Sequence, residues 1–196
     1  MNSIIKRCSV AGVLALAVLM PDFQLLKTSP EGLALIADLE GCRLSPYRCS
    51  AGVWTSGIGH TANVVPTRDI TEREAAVNLV ADVLNVERRL AACAPVEMPP
   101  RVYDALVSFT FNVGAGAACR STLVSFIKRK QWVQACGQLT RWVYVNGVKV
   151  IDAWTTNLTA PAANASLLVI DDEKQIRRLL RVTLEAGGYQ IGRASC

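Results

Sequence analysis

A chain of 196 residues has room for one ordinary domain with attachments, or for two small domains. Hydrophobic residues make up 51% and charged residues 19%, which excludes a disordered acidic or basic tail and allows a packed core. The net charge of +5 does not mark a nucleic-acid binder: from Thr28 to Asp152, 13 Lys and Arg face 11 Asp and Glu, with no basic stripe interleaved with aromatics.

Taken in chain order, Lys6 and Arg7 precede an uncharged apolar run, CSVAGVLALAVLM, that is followed by Pro21 and Asp22. The run is shorter than the ~20 residues of a stable transmembrane helix and rich in Ala and Gly. It reads as a cleaved signal peptide, an uncleaved and weakly held anchor, or an N-terminal core helix; no clear A-x-A cleavage site follows it. A positive flank stays on the cytoplasmic side and sends the remainder across the membrane. Ser29-Pro30-Glu31 opens a helix through Leu33, Leu35, Ile36 and Leu39 that Gly41 ends, leaving Glu40 at its last turn. Pro46 to Thr61 is β-branched and Gly-rich, as in short twisted strands with tight turns. Thr71 and Glu74 form a capping box for a helix carrying Ala75, Leu79, Val83 and Val86, which Pro95, Pro99 and Pro100 interrupt. Further helices pass through Ala105, Leu106 and Phe109 to Gly114, from Ser121 through Leu123, Phe126 and Ile127, and through Val133, Cys136 and Leu139. VYVNGVKV around Asn146-Gly147 predicts a hairpin. The composite is α+β: a small sheet beside a mostly helical lobe.

Seven cysteines stand at 8, 42, 49, 93, 119, 136 and 196, with no CxxC pair and His60 as the sole histidine. Zinc fits that set poorly, and an oxidising compartment fits it well. Pairing among Cys93, Cys119 and Cys136 cannot be deduced from spacing.

The informative window is EGCRLSPYRCSAGVWTSGIGHT, residues 40–61. A Glu at a helix end is ordinarily a solvated charge. This window, however, resembles the phage lysozyme family, the muramidases of tailed bacteriophages. Their pattern is Glu, eight residues, Asp, five residues, Thr, with the Thr inside W-T-x-G-x-G-H; Glu40, Trp54, Thr55, Gly57, Gly59 and His60 stand at those places. SFTFNVGAGAACRSTL (Ser108–Leu123) is similar to the family's F-N-x-G-x-G-x-x-x-S-T-L segment, and ACGQLTRWVYVNG (Ala135–Gly147) to the helix and turn that follow. The resemblance covers about residues 30–150 and implies a lysozyme-like fold that cuts the β-1,4 bonds between N-acetylmuramic acid and N-acetylglucosamine in peptidoglycan.

On that resemblance Glu40 is the general acid, kept protonated by partial desolvation, while Thr55 and residue 49 hold the water, with inversion at the anomeric carbon. Position 49 is Cys rather than the commoner Asp. Either Cys49 forms a structural disulfide and activity is crippled, or it takes the place of the Asp. The second is the pattern of some members of the signal-anchor-release branch of these endolysins, which carry a further Cys just after the Glu and another within the N-terminal anchor; Cys42 and Cys8 occupy those places. The resemblance then implies a redox switch of Cys8, Cys42 and Cys49, in an enzyme held in the inner membrane by a single pass and released to the periplasm. His60, Gly57 and Ser121 are candidates for supporting the site or the substrate. Neither a metal nor an organic cofactor is implied, nor nucleic acid, and the enzyme is expected to be a monomer on glycan strands.

Four segments are expected: a signal anchor over 1–27, the lysozyme domain over 28–150, a linker over 151–166 and a fragment over 167–196. The linker IDAWTTNL departs from the G-L-x-x-R-R and final helix usual in the family, which leaves a catalytically inactive prophage-derived fusion as the alternative. The last segment resembles the opening of a response-regulator receiver domain: Leu167–Ile170 as a strand, the acidic pair Asp171-Asp172, then an amphipathic helix from Glu173 to Glu185. Only 30 residues follow Ser166, too few for a sheet or for the phosphate-accepting aspartate, so no phosphotransfer is expected and a signalling fragment is the least favoured reading.

Overall fold

The computed structural model describes residues 8–49, 52–139, 144–145 and 148–149. The linker and the receiver-like segment lie outside the described residues. The chain divides into two compact units, Met1–Arg89 and Leu90–Cys196.

In the first unit Ser9 caps α1 (Val10–Val18) by accepting the Gly12 N–H on its hydroxyl. Val13 and Ala17, four residues apart and so on one helical face, are fully buried, and α1 packs on α2 (Pro30–Glu40). No helix among the described residues is long and apolar enough to cross a membrane. The segment Pro21–Leu25 makes a 3₁₀ turn. Beyond it the N–H groups of Lys27 and Thr28 and the Thr28 hydroxyl all donate to the buried Glu87 carboxylate, at 3.0, 2.7 and 2.6 Å. Helix α2 starts as its sequence dictates: the Ser29 hydroxyl accepts the Gly32 N–H and Pro30 holds the first helical position. It buries Leu33, Ile36 and Ala37 and stops at Gly41, whose φ of +68° suits glycine.

Strand β1 (Arg43–Arg48) pairs antiparallel with β2 (Trp54–Gly57). It begins three residues before Pro46, and the register shifts between Arg43 and Tyr47 because proline there has no N–H to give the ladder. A bridge between Ser56 and His60 closes the turn after β2. Helix α3 (Glu72–Cys93) opens on the expected capping box: Thr71 Oγ1 accepts the Glu74 N–H at 3.1 Å, and the Glu74 carboxylate accepts the Thr71 N–H at 2.8 Å. Ala75, Leu79 and Val83 are buried as their spacing predicts, Ala76 and Val80 widen the stripe, and Val86 is half-buried.

The second unit holds the end of α3, then α4 (Pro100–Val113), α5 (Ala115–Arg120), α6 (Thr122–Lys128) and α7 (Trp132–Gly137). Leu106, Val107, Phe109 and Val124 are among its buried residues. The short strands β3 (Tyr144–Val145) and β4 (Val148–Lys149) pair antiparallel, as the alternation around them predicts. Helix α5 has no counterpart in the sequence reading, because AGAACR offers too few large apolar residues to show a period. The architecture is α+β.

Candidate active site

Glu40 is the last residue of α2 and is half-buried. The glycine turn after β2 closes against it. At Gly59, where φ is +71°, a Cβ would stand 2.9 Å from Glu40 Oε2 and 3.1 Å from its Cδ. The end of α2 and the tip of the β1–β2 sheet therefore pin one carboxyl group between them. A half-buried carboxyl, partly desolvated and partly reachable, is what a proton donor to a sugar oxygen needs.

Thr55 lies in β2 with only 3% of its surface exposed. Its hydroxyl donates to the Val53 carbonyl at 3.2 Å, which leaves the oxygen lone pairs to accept from another group. Directly opposite Thr55 in the ladder is Tyr47, so the two side chains share a face of the sheet. Cys49, one residue past β1, is held by its N–H to the Val53 carbonyl at 3.0 Å, and its own carbonyl accepts the Gly52 N–H at 2.8 Å. Burial raises the Tyr47 pKa above its ordinary value of 10.0, and the charge of Glu40 and that of Cys49 add to the rise. The Arg43 guanidinium, 4.2 Å from the centre of the Tyr47 ring, acts in the opposite sense. Glu40, Tyr47 and Cys49 thus share one electrostatic neighbourhood, and the phenol keeps its proton at neutral pH. Sequence reasoning missed Tyr47 and Arg43. The available signal was parity: in a strand, residues 47 and 49 fall on the same face.

Among the described residues, four cysteines are joined in two disulfides, Cys8–Cys42 and Cys93–Cys119, while Cys49 and Cys136 remain thiols. Burial pushes the Cys136 thiol up to about 11, so it is neutral and inert at physiological pH.

The remaining candidates have structural surroundings. His60 Nδ1 lies 2.8 Å from Asp82 Oδ2 of α3. Burial raises the Asp82 pKa, and the His60 contact opposes that rise. Gly57, at φ +61°, is packed so that a Cβ would meet Ile70 and Ala75 at 3.2 and 3.3 Å. Ser121, in the second unit, caps α6 by accepting the Val124 N–H and donates its hydroxyl to the Ala118 carbonyl.

Residues 37–156 match the family described as phage lysozyme. The chain is 33% identical over 135 residues to the SAR-endolysin of Escherichia phage P1, covering 63% of this chain and 73% of that one. It is 32% identical over 148 residues to the SAR-endolysin of Haemophilus phage HP1, covering 67% of this chain and 80% of the relative. Among solved structures, the active form of the P1 phage endolysin superposes with a TM-score of 0.69 at 26% identity, over 92% of this chain and 96% of that one.

Proposed function

The chain belongs to the phage lysozyme family, and from that premise we propose that Glu40, Thr55 and Cys49 carry out its reaction. The protein is an endolysin: a muramidase that hydrolyses the glycan strands of peptidoglycan in host cell lysis. The Glu40 carboxyl protonates the bridging oxygen between the two sugars as the bond breaks. A water held by the Thr55 oxygen attacks the opposite face of the ring, giving inversion. Because the Thr55 hydrogen is engaged by Val53, its oxygen accepts from the water and leaves a water lone pair aimed outward. Cys49 is the second anchor of that water. Tyr47 keeps its hydroxyl protonated in the electrostatic neighbourhood of Glu40 and Cys49.

The observation that carries this reading is the closure of the Gly59 turn on the Glu40 carboxyl. Loss of turbidity of outer-membrane-permeabilised Gram-negative cells tests it. The wild type should clear the suspension, and Glu40→Gln should slow clearing by ~10²-fold or more, the usual worth of a general acid. Equal clearing by both proteins removes Glu40 from the mechanism. No clearing by either favours the inactive fusion, for which the departure at IDAWTTNL speaks.

The cysteine arrangement extends the proposal to regulation and location. Before release, the N-terminal segment crosses the inner membrane with Lys6 and Arg7 on the cytoplasmic side, and Cys42 pairs with Cys49. After release into the periplasm, Cys8 takes Cys42 and Cys49 is restored as a thiol. The Cys8–Cys42 disulfide, with Cys49 reduced beside Tyr47, supports this as the active arrangement. Glycan strands are the substrate of a monomeric enzyme.

A further inference from the structure

The exchange just described leaves open what makes Cys8, rather than Cys49, the partner that Cys42 keeps. We propose that Glu72 is the positioning residue that decides it, an inference that rests on the exchange reading but not on the hydrolytic one. Glu72 is the first residue of α3. Its Oε1 accepts the backbone N–H of Ser9 at 2.9 Å, across 63 positions of sequence. Ser9 follows Cys8 directly and is the N-cap of α1. Glu72 Oε2 lies where Gly12 leaves room: a Cβ at Gly12 would stand 3.2 Å from it. One carboxylate thus faces the first turn of α1 while belonging to the first turn of α3.

Both helix starts carry unsatisfied N–H groups and the positive end of a helix dipole, so a negative charge between them stabilises each. Glu72 is the group that ties the N-terminal end of α1 to α3, and through Ser9 it fixes where the Cys8 sulfur begins its reach. Val13 and Ala17 seat one face of α1 in the core, yet apolar contacts are non-directional and do not place the chain that precedes the helix. A charge-assisted hydrogen bond to the residue next to Cys8 places it.

The step is an isomerisation and needs no outside oxidant. The Cys8 thiolate attacks Cys42 Sγ, the Cys8–Cys42 bond forms, the Cys42–Cys49 bond breaks, and Cys49 leaves as a thiolate. The proton Cys8 gave to solvent is matched by the one Cys49 takes up. Glu72 takes no part in this chemistry. It raises the fraction of chains in which Cys8 is within reach.

The test equilibrates the purified full chain in a glutathione buffer, quenches with acid, alkylates the thiols and identifies the partner of Cys42 by peptide mapping. Cys8→Ser must show Cys42 joined to Cys49; its absence there overturns the exchange reading and this one with it. In the wild type Cys8–Cys42 should dominate. Glu72→Ala should lower the ratio of Cys8–Cys42 to Cys42–Cys49 by about tenfold, and Glu72→Gln, which keeps an acceptor without the charge, by roughly threefold. Gly12→Val, which crowds the carboxylate off Ser9, should act like Glu72→Ala. Glu74→Ala is the control, because it breaks the capping box at the same helix end without touching Ser9. An unchanged ratio in Glu72→Ala, or an equal shift in Glu74→Ala, overturns the proposal.

Discussion

At Gly59 the backbone takes a φ of +71°, and the space a methyl would fill is already occupied by the Glu40 carboxyl. Gly59→Ala therefore carries two separable costs. The left-handed backbone strains any residue with a Cβ by ~1–2 kcal/mol, a loss readable in urea unfolding. Displacing a catalytic group by about an ångström costs ~10²-fold in rate, so activity should fall far more than stability. A variant as active as wild type would show that Glu40 is not held by the turn. Asp82 gives a residue-scale prediction in pH. A carboxyl whose folded pKa lies above its unfolded value binds its proton more tightly in the folded chain. The stability linked to it is full in acid and is lost as the pH rises through the raised folded value. In Asp82→Asn the amide oxygen still accepts from His60 while that titration is gone. As the pH rises from the ordinary aspartate value of 3.8 towards the raised folded value, the stability of wild type relative to Asp82→Asn should fall, read by chemical denaturation at each pH. A constant or rising difference contradicts the assignment.

Among the elements, the helix starts were written plainly in the sequence. Ser29-Pro30 and the Thr71–Glu74 box place their termini because the capping groups are local to the chain. Helix α1 was legible as an apolar run, with a docked core helix one of three readings, since its packing on α2 is decided by the fold and not by the run itself. Glu87 was illegible for the same reason. It stands within the stripe of α3 between Val83 and Leu90, where a charge reads as an exception, and only the fold brings Lys27 and Thr28 to it. Removing its carboxylate strands those donors. Glu87→Ala should cost ~2–4 kcal/mol in unfolding free energy, because buried donors lose their acceptor. Glu87→Gln, which keeps one, should recover part of the loss. No change in either variant would mean that the 25–29 segment is not anchored there.

For the whole molecule, the proposed trio Glu40, Cys49 and Thr55 came from a family resemblance in wording and not from spacing, while the neighbours around it were not readable. Tyr47 and Arg43 enter through strand register, and Glu72 through a contact 63 positions long. The N-terminal segment and the site belong to the same unit, so releasing one can alter the other. On the proposed anchoring, Cys8→Ser should be exported and held at the membrane to the same extent as wild type, and fail to lyse cells after the membrane is depolarised. Wild-type lysis by that variant would detach the N-terminal cysteine from control of the enzyme. The receiver-like tail should take no phosphoryl group from acetyl phosphate with Mg²⁺, read by intact-mass measurement.

The central claim is that one half-buried carboxyl at the end of α2 gives its proton to a bridge between sugars. Its most direct test is the chemistry of the ends it leaves on purified peptidoglycan under oxidising conditions. Wild type should release new reducing ends on N-acetylmuramic acid, and Glu40→Gln should release them at least ~10²-fold more slowly while still carrying the Cys8–Cys42 bridge. Reducing ends appearing at equal rates from both proteins, or on the other sugar, would contradict the account.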